Sequence, residues 1–235
     1  MRNFKNRSDE VEIMDDLKSQ GAEVEQTLKE LDIINNRLGG NKISLNALSE
    51  LVHGRKSEVL RIADLGCGGG DILKLFAEWA LRKDYHFELT GIDANRFIVD
   101  YARQALKGIR NVTFKTENIL SREFIRQKFD IIHCCLFLHH FTNDELIHLL
   151  ENFKKQASLG IIINDLHRHW LAYYSIKFLT FLFSKSPMVK FDGPLSVARA
   201  FRRKELIELL EQAGIRNYQI KWRWAFRWEV MIRTG

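Results

Sequence analysis

Ala63-Asp64-Leu65-Gly66-Cys67-Gly68-Gly69-Gly70-Asp71 is the stretch whose reading decides the fold. It follows Val59-Leu60-Arg61-Ile62, a short apolar run that reads as a buried strand. It precedes residues 72–80, where apolar side chains recur at helical spacing. The context is therefore strand, glycine-rich turn, helix. Glycine lets the backbone turn tightly and approach a ligand with no Cβ in the way. The start of the helix offers unpaired N–H groups and a partial positive charge.

Two ligand classes use such a turn. A dinucleotide requires Gly-x-Gly-x-x-Gly, and here the third glycine falls on Asp71, a carboxylate where a pyrophosphate would sit. The pattern acid-x-Gly-x-Gly-x-Gly is met by Asp64, Gly66, Gly68 and Gly70. In this the chain resembles the first motif of class I S-adenosylmethionine-dependent methyltransferases. The resemblance covers about residues 59–165, and the C-terminal hairpin by position. It implies a loop, Cys67 included, around the methionine part of S-adenosylmethionine, whose sulfonium tolerates Asp64 and Asp71. It also implies an α/β, Rossmann-like, seven-stranded mixed sheet of order 3-2-1-4-5-7-6 with the last strand antiparallel. A helical cap precedes that sheet and a helical insertion follows strand 5.

The second strand, residues 86–92, ends in Asp93, followed by Ala94. A carboxylate there accepts hydrogen bonds from both hydroxyls of a ribose. Asn118 and Ile119 follow the third strand, residues 111–115. The methyltransferase pattern usually has an acid near Asn118 that accepts from the adenine amino group. The Asn118 carbonyl can still accept, with Glu117 as the fallback. Leu136 ends the fourth strand, residues 129–136, and the resemblance sets it beside the cofactor.

That strand opens into Phe137-Leu138-His139-His140-Phe141, which resembles the fourth motif of small-molecule methyltransferases. In open α/β sheets ligands sit beyond the carboxyl ends of strands. His139 and His140 are thus first-choice general bases. Asp165 and His167, just past the fifth strand at residues 160–164, are the second choice. His139, His140, Asp165 and His167 could be read as a metal set, but the resemblance implies mostly metal-free chemistry, and no metal is expected. The segment 170–183 is an apolar, aromatic helix, too short and too charged to span a bilayer. It reads as a lid for a flat or greasy substrate, with Trp170, Tyr173 and Tyr174 touching it. A membrane-surface helix with Lys177 and Lys185 near headgroups is another option. Residues 191–197 read as a returning loop, and Arg199 as a cation for substrate.

The remainder bounds the answer. The chain has 235 residues, 46% hydrophobic, with two prolines, which suits one core with additions. Residues 1–54 are read as a helical cap or arm, and 55–235 as the methyltransferase domain with a lid insertion at 166–200. Residues 1–7 are basic and expected to fray. A short helix begins near Glu12, and a longer one spans 22–38 with Val24, Leu28, Leu31, Ile34 and Leu38 on one stripe. Gly39-Gly40 stops it, and a third helix starts from an N-cap at Ser44 with Leu45, Leu48, Leu51 and Val52 inward. The polar N-terminus lacks a signal peptide's apolar stretch. Cys67, Cys134 and Cys135 lack metal-ligand spacing, which suits a reducing cytoplasm. The net charge of +6 weakly favours anionic partners.

The expected activity is methyl transfer to a small aromatic acceptor, a phenol, quinol or phenolic lipid, on oxygen or carbon. Two other readings stay open. The run Lys221-Trp222-Arg223-Trp224-Ala225-Phe226-Arg227-Trp228 interleaves bases and aromatics, as a single-stranded nucleic-acid surface does, and would suit an RNA methyltransferase. A cofactor-binding module without catalysis is the other. Nothing in the sequence speaks to oligomeric state.

Overall fold

The structure is a computed structural model that describes residues 4–235. The expectation of fraying at positions 1–3 lies outside the described residues. Seven strands form one sheet: β1 (Val59–Leu65), β2 (His86–Asp93), β3 (Val112–Thr116), β4 (Phe129–Cys135), β5 (Ala157–Leu166), β6 (Tyr218–Arg223) and β7 (Arg227–Arg233). Their order is β3-β2-β1-β4-β5-β7-β6. β1 to β5 pair in parallel, and β7 runs antiparallel to both of its neighbours. The expected sheet order, and the antiparallel last strand, are those of the structure.

Helices α1 (Ala22–Arg37) and α2 (Gly40–Leu51) precede the sheet. Helices α3 (Asp71–Lys83), α4 (Arg96–Ala105), α5 (Arg122–Ile125), α6 (Asn143–Gln156), α7 (Trp170–Phe183), α8 (Pro187–Arg199) and α9 (Arg203–Gln212) lie between or after the strands. The central strands are apolar on both faces because helices cover both. In β5, Ile161 and Ile163 join the core with Phe153 and Leu209, while Ile162 points to the opposite core with Leu48, Ile62 and Phe76. Local chemistry sets several helix starts. Asn95 accepts from the Phe97 amide, Thr142 forms a capping box with Glu145, and Ser186 caps α8 with Pro187 in its first turn.

Three elements differ from expectation. α2 starts at Gly40, and Ser44 is buried inside it rather than capping it. Gly39 takes a left-handed φ of 75°, so the chain reverses in one residue and helix resumes at once. The expected loop at 191–197 lies within α8, which carries Pro194 in its interior. Residues 4–7 are tied down: Arg7 donates to the carbonyls of His139, Phe141 and Arg199.

Ser44 has a reason to be buried. Asn164 on β5 donates from Nδ2 to the Ser44 hydroxyl, 2.9 Å. Ser44 lies 2.9 Å from His133 Nε2 on β4, and His133 Nδ1 lies 2.7 Å from Asp64 Oδ1 on β1. An amide nitrogen only donates and a carboxylate only accepts. The chain therefore runs one way: Asn164 to Ser44, Ser44 to His133 Nε2, and His133 Nδ1–H to Asp64. It fixes α2 over three strands.

Ser44→Ala leaves His133 Nε2 and one Asn164 proton without a partner in the interior. We expect a loss of about 1–3 kcal/mol, read in thermal unfolding as a Tm drop of roughly 2–4 °C for each kcal/mol in a chain of this size.

Candidate active site

The carboxyl ends of β1, β2 and β4 open into one cavity of about 910 Å³. That lies near the upper end of the roughly 300–1,000 Å³ typical of ligand pockets. The glycine turn forms its floor. Gly66, Gly68 and Gly70 all have positive φ, at 66°, 50° and 82°. A Cβ on Gly66 would lie 2.2 Å from the Phe137 ring, so only glycine fits there. Gly70 does not face the cavity; it starts α3 close to Phe114 and Leu106, and Gly69 lines the wall in its stead.

Every other expected cofactor residue lines this cavity: Asp64, Gly66, Cys67, Gly68, Asp71, Asp93, Ala94, Asn118, Ile119 and Leu136. Asp93 accepts from the amides of Asn95 at 2.9 Å and Gly68 at 3.4 Å, so the acid at the end of β2 also braces the glycine turn. Asn118 Oδ1 accepts from the Leu120 amide, which leaves one lone pair and the Nδ2 protons for a ligand. Leu136 holds a left-handed φ of 51°, a strained conformation for a side chain of this size, at the mouth of the site.

The electrostatics suit a cation. Burial, with Asp32 and Asp64 nearby, pushes the Asp71 carboxyl up to about 7. Burial also raises Asp93. Burial, with Asp64 and Asp93 nearby, holds the Cys67 thiol far above its ordinary value, so it is no nucleophile. A sulfonium-bearing ligand would relieve this crowding of carboxyl groups. The glycine turn, the acid ending β2 and the acidic floor together fit S-adenosylmethionine.

The opposite wall is made of the histidine loop and the N-terminal segment. His139 is 2% exposed. Its Nδ1 lies 2.7 Å from Asp165 Oδ1, and Asp165 also accepts from the amides of Leu138, His139 and Leu166. Burial opposes the Asp165 charge, but His139 and these hydrogen bonds hold its carboxyl below the usual range. His139 Nε2 is buried and has no hydrogen-bond partner, and Glu12 Oε1 is in the same condition 3.7 Å away. Burial, with Asp192 nearby, pushes Glu12 up to about 7, against His140, Ser196 and Arg199.

His140 stands beside His139, ring centroids 4.3 Å apart, and its Nδ1 bonds to Asp15. Arg199 donates to Asp15 and to the His140 carbonyl. Asp15 is held far below the usual carboxylate range; burial opposes this, and His140 and Arg199 prevail. Arg199 does line the cavity, as expected, but its charge is taken by Asp15. Glu12, His139 and His140 each offer one ligand atom within 4.8 Å of one another. The Arg199 guanidinium stands 3.6 Å from Glu12 Oε1, where a metal ion would meet like charge.

Other expectations are placed elsewhere. His167 does not line the cavity. It accepts from Trp222 Nε1 and lies against the Trp228 ring, and burial with His169, Arg202 and Arg168 lowers it to about 4. Arg168 is structural, its guanidinium spent on Glu205 and the carbonyls of Phe4, Lys5 and Ala200. Trp170, Tyr173 and Tyr174 also lie off the cavity. The α7 helix presents Ser175, Ile176 and Leu179 to it, while Tyr173 packs on Phe4 and Leu195. Sequence reasoning missed Arg7, Glu12 and Asp15. The only trace was an acidic cluster at 12–16, read as the start of a helix, whereas a single 3-10 turn spans Ile13–Asp15.

Two outcomes follow. Asp93→Ala should abolish cofactor binding in calorimetry, since it removes the ribose acceptor and loosens the turn. Glu12 binds its proton more tightly folded than unfolded, so its contribution to stability is present at low pH and is lost as pH rises through about 7. From about pH 5.5 to about pH 8.5 wild type should lose about 2 kcal/mol relative to Glu12→Gln, read as the pH dependence of their Tm difference.

Residues 62–158 match a family model described as a methyltransferase domain. The phosphoethanolamine N-methyltransferase of Plasmodium falciparum (isolate 3D7) is 30% identical over 118 residues, which is 50% of this chain and 38% of that protein. The chain thus spans well under two thirds of this relative's length. Among solved structures, the plantazolicin methyltransferase BpumL with S-adenosylhomocysteine is similar at TM-score 0.63 and 18% identity, covering 90% of this chain and 99% of that one. Human N-acetylserotonin methyltransferase with S-adenosylmethionine is similar at TM-score 0.64 and 17% identity, covering 91% and 57%. With this sheet order and this glycine turn, residues 62–158 carry a methyltransferase domain within a Rossmann-like fold.

Proposed function

We propose that the chain methylates a small, apolar aromatic acceptor bearing a phenolic hydroxyl, on that oxygen or on an activated ring carbon, with His139 as general base. The observation that carries this reading is the buried, unpartnered His139 Nε2, whose ring is held by a charged Asp165. The cavity wall is largely apolar, with Met14, Leu31, Ile34, Ile176, Leu179 and Val197 among its lining residues. An apolar ring with one acidic hydroxyl fits that wall and that base.

S-adenosylmethionine supplies an activated methyl group. The protein then has two tasks. One is alignment, which the cavity walls perform. The other is removal of a proton. A phenol of pKa about 10 is roughly 0.1% ionised at neutral pH, an ionisation cost of about 4 kcal/mol. His139 takes that proton on Nε2, and Asp165 fixes the tautomer through Nδ1 and stabilises the resulting charge. Glu12, near neutrality in its titration, is placed to accept from the protonated ring.

The nucleic-acid reading has less support. Lys221 and Arg223 of the hairpin pair with Glu50 and Glu229, Arg227 is buried, and Trp228 is buried with Nε1 donating to Phe201. Each cation of the run is thus paired or buried, and its exposed rings are Trp222 and Trp224.

The first test is calorimetric titration with S-adenosylhomocysteine beside NADH and NADPH, followed by a screen of phenols. His139→Ala should lower kcat about 10²–10⁴-fold with unchanged S-adenosylhomocysteine affinity, while His167→Ala should stay near wild type. Equal turnover by His139→Ala and wild type would remove the base assignment.

A further inference from the structure

Helix α7 is apolar on nearly every side, yet it packs along one side only, where Tyr173 meets Phe4 and Leu195 next to the stripe against α8. Ala172 and Thr180 are buried and Ile176 half-buried, and the stripe faces Gly193 of α8. A soluble surface helix carries a polar face opposite its packed stripe. Here that face holds Trp170, Leu171, Tyr174, Phe178, Phe181 and Leu182, and Phe183 stands exposed as the last residue of the helix. Phe178, Phe181 and Phe183 are 62%, 72% and 76% exposed. Phe191 of α8 adds to the same surface at 51%. A contiguous apolar patch of this kind marks a contact surface.

The charges around it say what the contact is. From residue 166 to residue 191 there is no Asp or Glu. Lys177, Lys185 and Lys190 are exposed, and none forms an ion pair among the described residues. The acids near it are Glu30, whose carboxylate is taken by Ser184, Gln26 and the Lys185 amide, Asp192, which accepts from the Ile13 and Met14 amides, and Glu10, which shares a small pocket with Lys177, Lys190 and Phe191. Aromatic and leucine side chains at the centre with lysines at the edge are the pattern of an in-plane interfacial helix on anionic lipid. No helix among the described residues is long and apolar enough to cross a membrane. Fourteen residues give about 21 Å, enough to lie on a bilayer.

We propose that the exposed face of α7, with Phe191, docks on an anionic lipid bilayer. The same helix turns Ser175, Ile176 and Leu179 into the cavity. An acceptor dissolved in the bilayer reaches the site along α7 without crossing water. This last step rests on the proposed acceptor class; the docking itself does not.

The test is flotation of the full chain with vesicles of phosphatidylglycerol and phosphatidylcholine at about 3:7, beside phosphatidylcholine alone, with analytical ultracentrifugation of the free protein. Wild type should float with the anionic vesicles and at least tenfold less with the neutral ones. Phe178→Ser/Phe181→Ser/Phe183→Ser, all exposed positions, should lose at least tenfold in binding and keep its S-adenosylhomocysteine affinity. Lys177→Glu/Lys185→Glu/Lys190→Glu should abolish the preference for anionic lipid, with the same affinity kept. No flotation of wild type, or equal flotation of the triple Phe variant, overturns the proposal. So does a wild-type dimer that the Phe variant turns into a monomer, because a second copy would then cover the face. Turnover of soluble phenols without flotation would leave the proposed function standing and remove the docking; flotation with no turnover of any phenol would do the reverse.

Discussion

A carboxylate at the first motif position must face a ligand cavity from inside the protein, and Asp64 is 2% exposed. It needs a donor that the apolar strands around it cannot give. His133, one strand over on β4, supplies that donor through Nδ1. The other ring nitrogen then needs one too, and Ser44 on α2 supplies it, itself satisfied by Asn164 on β5. Each link exists because leaving its predecessor bare inside the protein would cost more than the bond itself contributes. The position of α2 is thereby set by the same requirement that orients the acid of the glycine turn. The helices ahead of the sheet are part of the site's support.

A second buried network governs the other wall. The N-terminal segment crosses the cavity and is held at both ends of its path. Arg7 grips the carbonyls of the histidine loop, Asp192 accepts from the Ile13 and Met14 amides, and Asn95 donates to the Ser19 carbonyl. Between those points it presents Glu12 and Asp15 to His139, His140 and Arg199. The two histidines, adjacent in sequence, are thereby set apart in role. His140 spends its Nδ1 on Asp15, while His139 is oriented by Asp165 from behind and keeps Nε2 free.

The sheet, its order and the cofactor side of the site were legible because their signals are local. A strand, a turn that only glycine can make and a helix lie within Val59–Lys83, and Asp93 ends the next strand in the same unit. Gly70 looks like a fourth ligand residue in such a pattern, but its conformation serves the helix start. The base side was legible only as residue types at strand ends. Nothing in the sequence separates His139 from His167. That difference arises because one is held by Asp165 from behind and turns Nε2 towards Glu12, while the other turns under Trp228. Contacts of this range leave no periodic trace. Ser44 shows the same limit: hydroxyl residues favour N-caps, and only the tertiary partners His133 and Asn164 explain one inside a helix.

The aromatic helix shows a different limit. Its composition says that it is apolar and says nothing of which apolar medium covers it. Reading it as a lid assumed that the medium is the substrate and the rest of the chain. The backbone geometry allots that role to one edge, Ser175 to Leu179, because α8 lies against the stripe through Ala172 and Thr180. Trp170, Tyr174, Phe178 and Phe181 are left over on the outer side, and Phe183 is exposed at the helix end. Selection for folding alone would place lysine or glutamate at such positions, since exposed aromatic side chains invite aggregation. Lys177, Lys185 and Lys190, without ion pairs among the described residues, and the lack of acids from 166 to 191 are what the proposed lipid contact accounts for.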